Sequence, residues 1–179
     1  MNMETIYLIR HGQTDWNAEK RVHGQQDISL NDIGRAQAEV AIVKLANLKI
    51  EHIFSSDLSR ARETAEILNK YLKLNIVFDA RIREYNCGEL EGRQTTKDDW
   101  REFDTDRRKY NAESPEDVFL RVKSFLDDIS DLENVLIVTH NGTMSMMFYC
   151  VNNETYNSET YFKYYDTMRN SNLEIVKLE

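Results

Sequence analysis

Short apolar runs with a β-branched bias alternate along the chain with longer segments whose apolar residues recur at helical spacing. Four runs read as strands: Ile6 to Ile9, His52-Ile53-Phe54-Ser55, Ile76-Val77-Phe78 and Val135 to Val138. The last is apolar at every position, as expected in the middle of a parallel sheet. Between the runs, the spacing predicts helices. Asn31 caps one that ends near Asn47 and should turn Ile33, Ala36, Val40 and Val43 to the sheet. Ala61, Ala65, Leu68 and Leu72 mark the inner face of a second. Trp100, Phe103, Arg107 and Tyr110 form one stripe of an amphipathic helix within Thr96 to Tyr110. Ser114-Pro115-Glu116-Asp117 is a strong helix start, followed by the buried positions Val118, Val122, Phe125 and Ile129. Thr143 to Val151 reads as a further helix. The tail predicts a hairpin, with Phe162 to Tyr165 and Leu173 to Leu178 as strands and Asn170-Ser171-Asn172 in the turn. Strands alternating with helices define an α/β fold. At 179 residues the chain reads as a single domain, 1–179.

Charged and polar groups gather where strands end. In open α/β sheets, ligands bind beyond the carboxyl ends of strands. Ile6 to Ile9 runs into Arg10-His11-Gly12 and a polar loop, Thr14 to Ser29. Arg10 can fork two donors onto a phosphate. His11 can attack phosphorus, Gly12 lets backbone approach closely, and Asn17 can donate one more hydrogen bond. Arg60 falls in the first turn of the helix after the second strand, where free N–H groups and the helix dipole favour anions. Thr139-His140-Asn141-Gly142 repeats the first pattern after the last strand. The handedness of βαβ units brings both histidines to one sheet edge. Together these residues describe an anion site with a nucleophile in it.

Composition narrows the partners. Acidic residues outnumber basic ones, 31 to 23, for a net charge of −8. So acidic a chain is a poor match for nucleic acid or an anionic membrane. Its longest apolar run, Met144 to Val151, is too short to span a bilayer, and the N-terminus lacks the pattern of a secretory leader. Cys87 and Cys150 have no metal-ligand spacing and are expected as free thiols in a cytoplasmic protein. No metal and no cofactor are expected. The partner is expected to be a small molecule, with the chain a monomer or a homodimer. Tyr156, Tyr161 and Tyr164 read as exposed aromatics of a contact surface.

Arg10-His11-Gly12-Gln13-Thr14-Asp15-Trp16-Asn17, Ser56-Asp57-Leu58-Ser59-Arg60-Ala61-Arg62-Glu63-Thr64-Ala65 and the second histidine, His140, resemble the signature of the histidine phosphatase superfamily, which includes the cofactor-dependent phosphoglycerate mutases. The resemblance runs through most of the chain. It implies a three-layer architecture, a mostly parallel central sheet with helices on both faces. It also implies a phosphohistidine on His11, with phosphate bound by Arg10, Asn17, Arg60 and His140. The loop Arg81 to Gly92 holds three glutamates, Glu84, Glu89 and Glu91, which composition cannot rank; the family pattern places the proton-transferring one at Glu84. The family usually has Gly-Gly after the second histidine. Here Asn141 replaces the first glycine, at a turn where asparagine tolerates positive φ. Gln25, Asn141, Arg107 and Arg108 are candidates for the pocket wall. The short chain and the Gln-Thr pair resemble the phosphatase branch, which includes α-ribazole phosphatases. The expected activity is therefore a metal-independent phosphomonoesterase. A cofactor-dependent phosphoglycerate mutase is the alternative, and a non-catalytic phospho-ligand-binding member is a more distant one.

Overall fold

A computed structural model describes residues 5–165 and 172–178. In chain order the main elements are β1 (Ile6–Arg10), α1 (Asp15–Ala18), α2 (Asp32–Leu45), β2 (His52–Ser55), α3 (Ser59–Leu72), β3 (Ile76–Phe78), α4 (Lys97–Thr105), α5 (Pro115–Asp128), β4 (Val135–Thr139), α6 (Asn141–Asn152), α7 (Ser158–Tyr165) and β5 (Ile175–Leu178). The sheet order is β3-β2-β4-β1-β5; the first four strands are parallel and β5 runs antiparallel to β1. This is the three-layer α/β architecture, with a mostly parallel sheet, that the resemblance implies.

Alternation along the central strand builds both layers. All five residues of β4 are buried. Leu136 and Val138 point to the layer that holds Ala38, Ala41 and Leu45 of α2 and Ala61, Ala65 and Leu68 of α3. Val135 and Ile137 point to the layer of Val118, Val122 and Phe125 of α5 and Met144, Met147 and Phe148 of α6. A strand buried on both faces needs an unbroken apolar run, which is why this one was legible.

Helix α2 corrects the expected face. Ile33, Val40 and Val43 are 57%, 68% and 73% exposed, and Ala36 is exposed as well. The buried positions are Gly34, Ala38, Ala41 and Leu45, also at helical spacing. Size, not hydrophobicity, decides the face. A Cβ on Gly34 would stand 2.1 Å from the Gln13 carbonyl oxygen, and one on Gly12 would stand 2.6 Å from the Gly34 oxygen. The helix start thus lies backbone to backbone against the loop after β1, a contact that only small side chains permit.

Two further expectations change. The stripe from Trp100 to Tyr110 is not one helix. It breaks at Asp106 (φ −153°), whose carboxyl accepts the Lys109 N–H of a 3-10 turn over Arg107–Tyr110. Its aromatic packing survives, with Trp100–Phe103 and Phe103–Tyr110 ring centroids each 5.5 Å apart. The tail is not a hairpin. Phe162 to Tyr165 belong to α7, and β5 pairs with β1; Asn170 and Ser171 of the expected turn lie outside the described residues. Tyr161 is fully buried, its hydroxyl bonded to that of Tyr85, and Tyr156 is half-buried beside Phe119 and Tyr149. Neither offers a contact surface, and the Tyr164 side chain is outside those described. Cys87 and Cys150 are free and buried. Among the described residues, no helix is long and apolar enough to cross a membrane.

Candidate active site

Strand register brings the polar residues together. Ile9 pairs with Val138 and Arg10 with Thr139, while Ser55 of β2 also pairs with Val138. The carboxyl ends of β1, β4 and β2 therefore stop level. His11 N–H donates to the Thr139 carbonyl at 3.0 Å, and Ser56 N–H to that of Val138 at 3.0 Å. Residues from three distant parts of the sequence, Arg10, His11, Asn17, Arg60 and Glu84, line one cavity of about 550 Å³.

His11 is buried, and its Nδ1–H donates to the Gly12 carbonyl at 2.7 Å. That bond fixes the tautomer and leaves Nε2 with its lone pair. Burial first, then the charges of Arg60 and Arg10, push its pKa well below the usual imidazole value, so the ring is neutral. A neutral Nε2 within the field of two guanidinium groups has the chemistry of a nucleophile.

Arg60, fully buried, sits in the first turn of α3. It donates from Nη2 to the Gly24 carbonyl and from Nη1 to that of Gln26, each at 2.8 Å, and from Nε to His140 Nδ1 at 3.2 Å. Of the five N–H donors of a guanidinium these bonds take three and leave two. Burial lowers its pKa to about 10, still far above neutrality. Asn17 closes a capping box with Thr14 at the start of α1, each residue's side chain accepting the other's backbone N–H. Its Oδ1 is thereby occupied and its NH2 is the end left for the cavity.

Glu84 stands at the N-terminus of α6. Its carboxyl accepts the N–H groups of Gly142 at 3.1 Å and Thr143 at 3.2 Å. A Cβ on Gly142 would come within 2.6 Å of both Glu84 Oε1 and the Tyr85 ring. The second residue of the expected Gly-Gly pair is thus the one that must lack a side chain. Asn141 opens α6 and is not among the residues with positive φ, so the backbone tolerance expected for it is not used.

The other expected residues divide. His140 lies behind the cavity, wholly buried, with its ring centroid 5.2 Å from that of His11. Its Nδ1 accepts from Arg60, and its Nε2–H donates to Ser56 Oγ at 2.9 Å. Burial, then Arg60, holds its pKa well below the usual value. Gln25 spends its amide on the Glu84 carbonyl at 3.0 Å and does not line the cavity; neither does Asn141. Arg107 lines it, stacked over Tyr85 and Phe103 and paired with Asp104 at 2.6 Å, whereas Arg108 is exposed.

Several positioning residues were not read from the sequence. Arg121 on α5 donates to the carbonyls of Arg81, Arg83 and Glu84 at 2.5, 2.9 and 3.2 Å, pinning the loop that carries Glu84. Arg83 forks onto Asp57 at 2.6 and 2.5 Å, tying the same loop to the end of β2. Thr64 Oγ1 accepts the Gly12 N–H at 3.1 Å. Arg121 acts through backbone carbonyls and Arg83 through the Asp57 carboxylate, and neither carries a motif signal, whereas Thr64 lies within the second motif. His23, which lines the cavity, did carry one: a histidine in the loop after the first motif. Among the described residues, no group of three or more His, Cys, Asp and Glu side chains could hold a metal ion.

A level strand edge carries a neutral, buried histidine within the field of two arginines, a setting suited to an anionic group. The sequence profile of the histidine phosphatase superfamily (branch 1) matches residues 6–177, and the chain belongs to that superfamily. It is similar to the probable phosphoglycerate mutase GpmB of Escherichia coli, 39% identical over 150 residues that cover 77% of this chain and 70% of the relative. Among solved structures it resembles Bacillus stearothermophilus YhfR, at 33% identity, with a TM-score of 0.71 and coverage of 85% and 81% of the two chains. It also resembles a mycobacterial glucosyl-3-phosphoglycerate phosphatase in complex with VO3, at 25% identity, a TM-score of 0.80 and coverage of 98% and 91%.

Proposed function

We propose that this protein is a metal-independent phosphomonoesterase acting on a small phosphorylated metabolite. The observation that carries the reading is His11: neutral, its Nδ1–H spent on Gly12, its Nε2 beside Arg10 and Arg60. In the first step, His11 Nε2 attacks phosphorus in line, forming the N–P bond as the ester P–O bond breaks. Glu84 supplies the proton that the leaving oxygen takes. In the second step, Glu84 accepts a proton from water as that water attacks phosphorus, the N–P bond breaks, and phosphate leaves. Arg10, Arg60 and Asn17 hold the three phosphoryl oxygens, and this charge stabilisation is most of what phosphoryl transfer requires. His140 acts from behind, through Arg60.

Hydrolysis is favoured over mutase chemistry by the cover. A mutase keeps its phosphoenzyme from water. Among the described residues, the segment between Glu84 and His140 adds to the cavity wall little beyond Trp100 and Phe103 of the nine-residue α4 and Arg107 of the 3-10 turn after it. Arg107 in that wall supports a substrate with a second anionic group. A cytoplasmic setting fits the two free thiols. The similarity to GpmB supports the second reading, a phosphoglycerate mutase.

The deciding experiment measures phosphate release from p-nitrophenyl phosphate, 3-phosphoglycerate and α-ribazole phosphate in parallel, with EDTA present. Release that survives EDTA supports the phosphatase. Interconversion of phosphoglycerates with little free phosphate establishes the mutase instead. Failure of all three to turn over points to a different, specific substrate or to a member that only binds its phospho-ligand.

A further inference from the structure

Glu91, the last glutamate of the Arg81 to Gly92 loop, joins two segments that surround the cavity. Its Oε1 accepts the backbone N–H groups of Gln25 at 2.9 Å and Cys87 at 3.0 Å, and its Oε2 accepts the side-chain amide of Gln26 at 2.9 Å. Two of these donors belong to the loop after β1, and the third to the loop that carries Glu84. The side chain is half-buried and does not line the cavity. Gly24, at φ +51°, turns the chain beside it. A Cβ on Gly24 would stand 2.0 Å from Glu91 Oε1, so the carboxyl packs directly on the turn.

Each joined segment holds one group of the site. On one side, the carbonyls of Gly24 and Gln26 accept from Arg60 Nη2 and Nη1, and these two residues flank Gln25, whose N–H rests on Glu91. The direction of the two remaining Arg60 donors therefore follows the turn. Asp27 fastens the far end of that turn to α3, accepting the Ser59 N–H at 2.6 Å and its hydroxyl at 2.8 Å. On the other side, Glu91 holds Cys87 directly, and Gln25 Nε2 donates to the Glu84 carbonyl at 3.0 Å. All three donors to Glu91 are neutral N–H groups. They need an oxygen at the right place, whether or not it carries a charge.

We propose that Glu91 is a positioning residue that sets Arg60 and Glu84 at a fixed separation, by bridging the turn that holds Arg60 to the loop that holds Glu84. Arg60 grips the phosphoryl end of an ester and Glu84 serves its leaving oxygen, so the bridge matches the site to the length of one ester bond. Reach, not charge, is what Glu91 supplies. The inference rests on the roles of Arg60 and Glu84 in the proposed function.

Two conservative variants separate reach from charge. Glu91→Gln drops the charge and keeps the reach: its amide oxygen accepts both backbone N–H groups, and the Gln26 amide turns over to accept from its NH2. Glu91→Asp keeps the charge but is shorter by about 1.5 Å, too short to touch both loops. Calorimetric titration with sulfate reads Arg60. The ratio of kcat/KM for an alkyl phosphate to that for p-nitrophenyl phosphate reads Glu84. Glu91→Gln should stay within about threefold of wild type in both readouts. Glu91→Asp should weaken sulfate binding about tenfold and lower kcat/KM for the alkyl phosphate about 10²-fold, with a smaller loss on p-nitrophenyl phosphate. The opposite order, with Glu91→Gln impaired and Glu91→Asp intact, overturns the proposal. So does a Glu91→Asp enzyme that loses only denaturation resistance, as a purely structural brace would. Gln25→Met decides where Glu91→Asp does not fold. It cuts only the tie to the Glu84 carbonyl, and should lower the alkyl to nitrophenyl ratio several-fold with sulfate affinity unchanged; an unchanged ratio overturns the proposal. A wild type that binds no sulfate overturns it as well, while absence of turnover by a wild type that does bind sulfate counts against the proposed function and leaves the sulfate comparison to decide the bridge to Arg60.

Discussion

Arg60 Nε donates to His140 Nδ1 across 3.2 Å, and neither side chain is reached by solvent. The bond fixes His140 as the tautomer whose Nε2–H rests on Ser56 Oγ, so both ring nitrogens are engaged, and in the proposed mechanism Arg60 carries the influence of His140 to the phosphoryl group. Arg60→Lys keeps the charge but cannot reach His140, Gly24 and Gln26 together. It should lose about 10²–10³ in kcat with circular dichroism unchanged. A kcat within a few-fold of wild type would show that Arg60 does not contact the transferring group.

His11→Ala should abolish turnover, and acid-labile phosphate should no longer be trapped on the protein after quenching. Substantial residual release would remove His11 from the nucleophile's role.

Glu84→Gln keeps the shape of the carboxyl but not its proton. It should slow alkyl phosphates far more than p-nitrophenyl phosphate, whose leaving group needs little protonation. Gly142→Ala should do the same more bluntly, since a Cβ there meets Glu84 Oε1 and the Tyr85 ring at 2.6 Å. Equal losses across leaving groups would argue against an acid at this position.

Acid should destabilise the fold early. His11, His140 and His23 are all held neutral, with pKa values lowered by burial. In the unfolded chain they titrate near their ordinary value. Between that value and the folded pKa the unfolded state binds more protons, so stability falls as pH drops below about 6.5, by up to ~1.4 kcal/mol per pH unit for each histidine. Urea unfolding at pH 7 and pH 5 checks this, and His23→Gln should make the dependence shallower. Catalysis, by contrast, should keep its neutral nucleophile below pH 6. An acid limb of kcat/KM near 6.5 would contradict the burial of His11.

Helix α2 offers a paired test. Gly34→Ala forces a methyl against the Gln13 carbonyl and should cost about 1–3 kcal/mol. Val40→Thr, on the exposed face, should fall within about 0.5 kcal/mol of wild type in the same denaturant titration.

The strands were legible because they are buried: Val135 to Val138 announced a central strand, and Arg10-His11-Gly12 announced the end of another. The α2 face was misread because hydrophobicity was weighed above volume, and the close approach to Gly12 selects Gly34, Ala38 and Ala41 over Val40 and Val43. In the tail, the strand expected over Leu173 to Leu178 is β5, but Phe162 to Tyr165 are helical: Tyr and Phe favour strands locally, whereas Tyr161 is buried in a helix among Tyr85, Tyr149 and Tyr156. His11 and Arg60 stood out in motifs, whereas only the family pattern picked Glu84 from the three glutamates of its loop. Arg121 holds the Glu84 loop through backbone carbonyls and Arg83 holds it through the Asp57 carboxylate, and neither left a trace in the pattern.

Strand β1 lies between β4 and β5, both made from the last third of the chain, and Asn172 Nδ2 donates to the His11 carbonyl at 2.5 Å. During synthesis His11 emerges well before the two strands that flank its own. Its strand has no neighbour until residue 135 has been translated and no second one until residue 175. A chain cut before residue 135 therefore carries the full Arg-His-Gly motif with no sheet partner for β1, and the surroundings of His11 form only once β4 and β5 are in place.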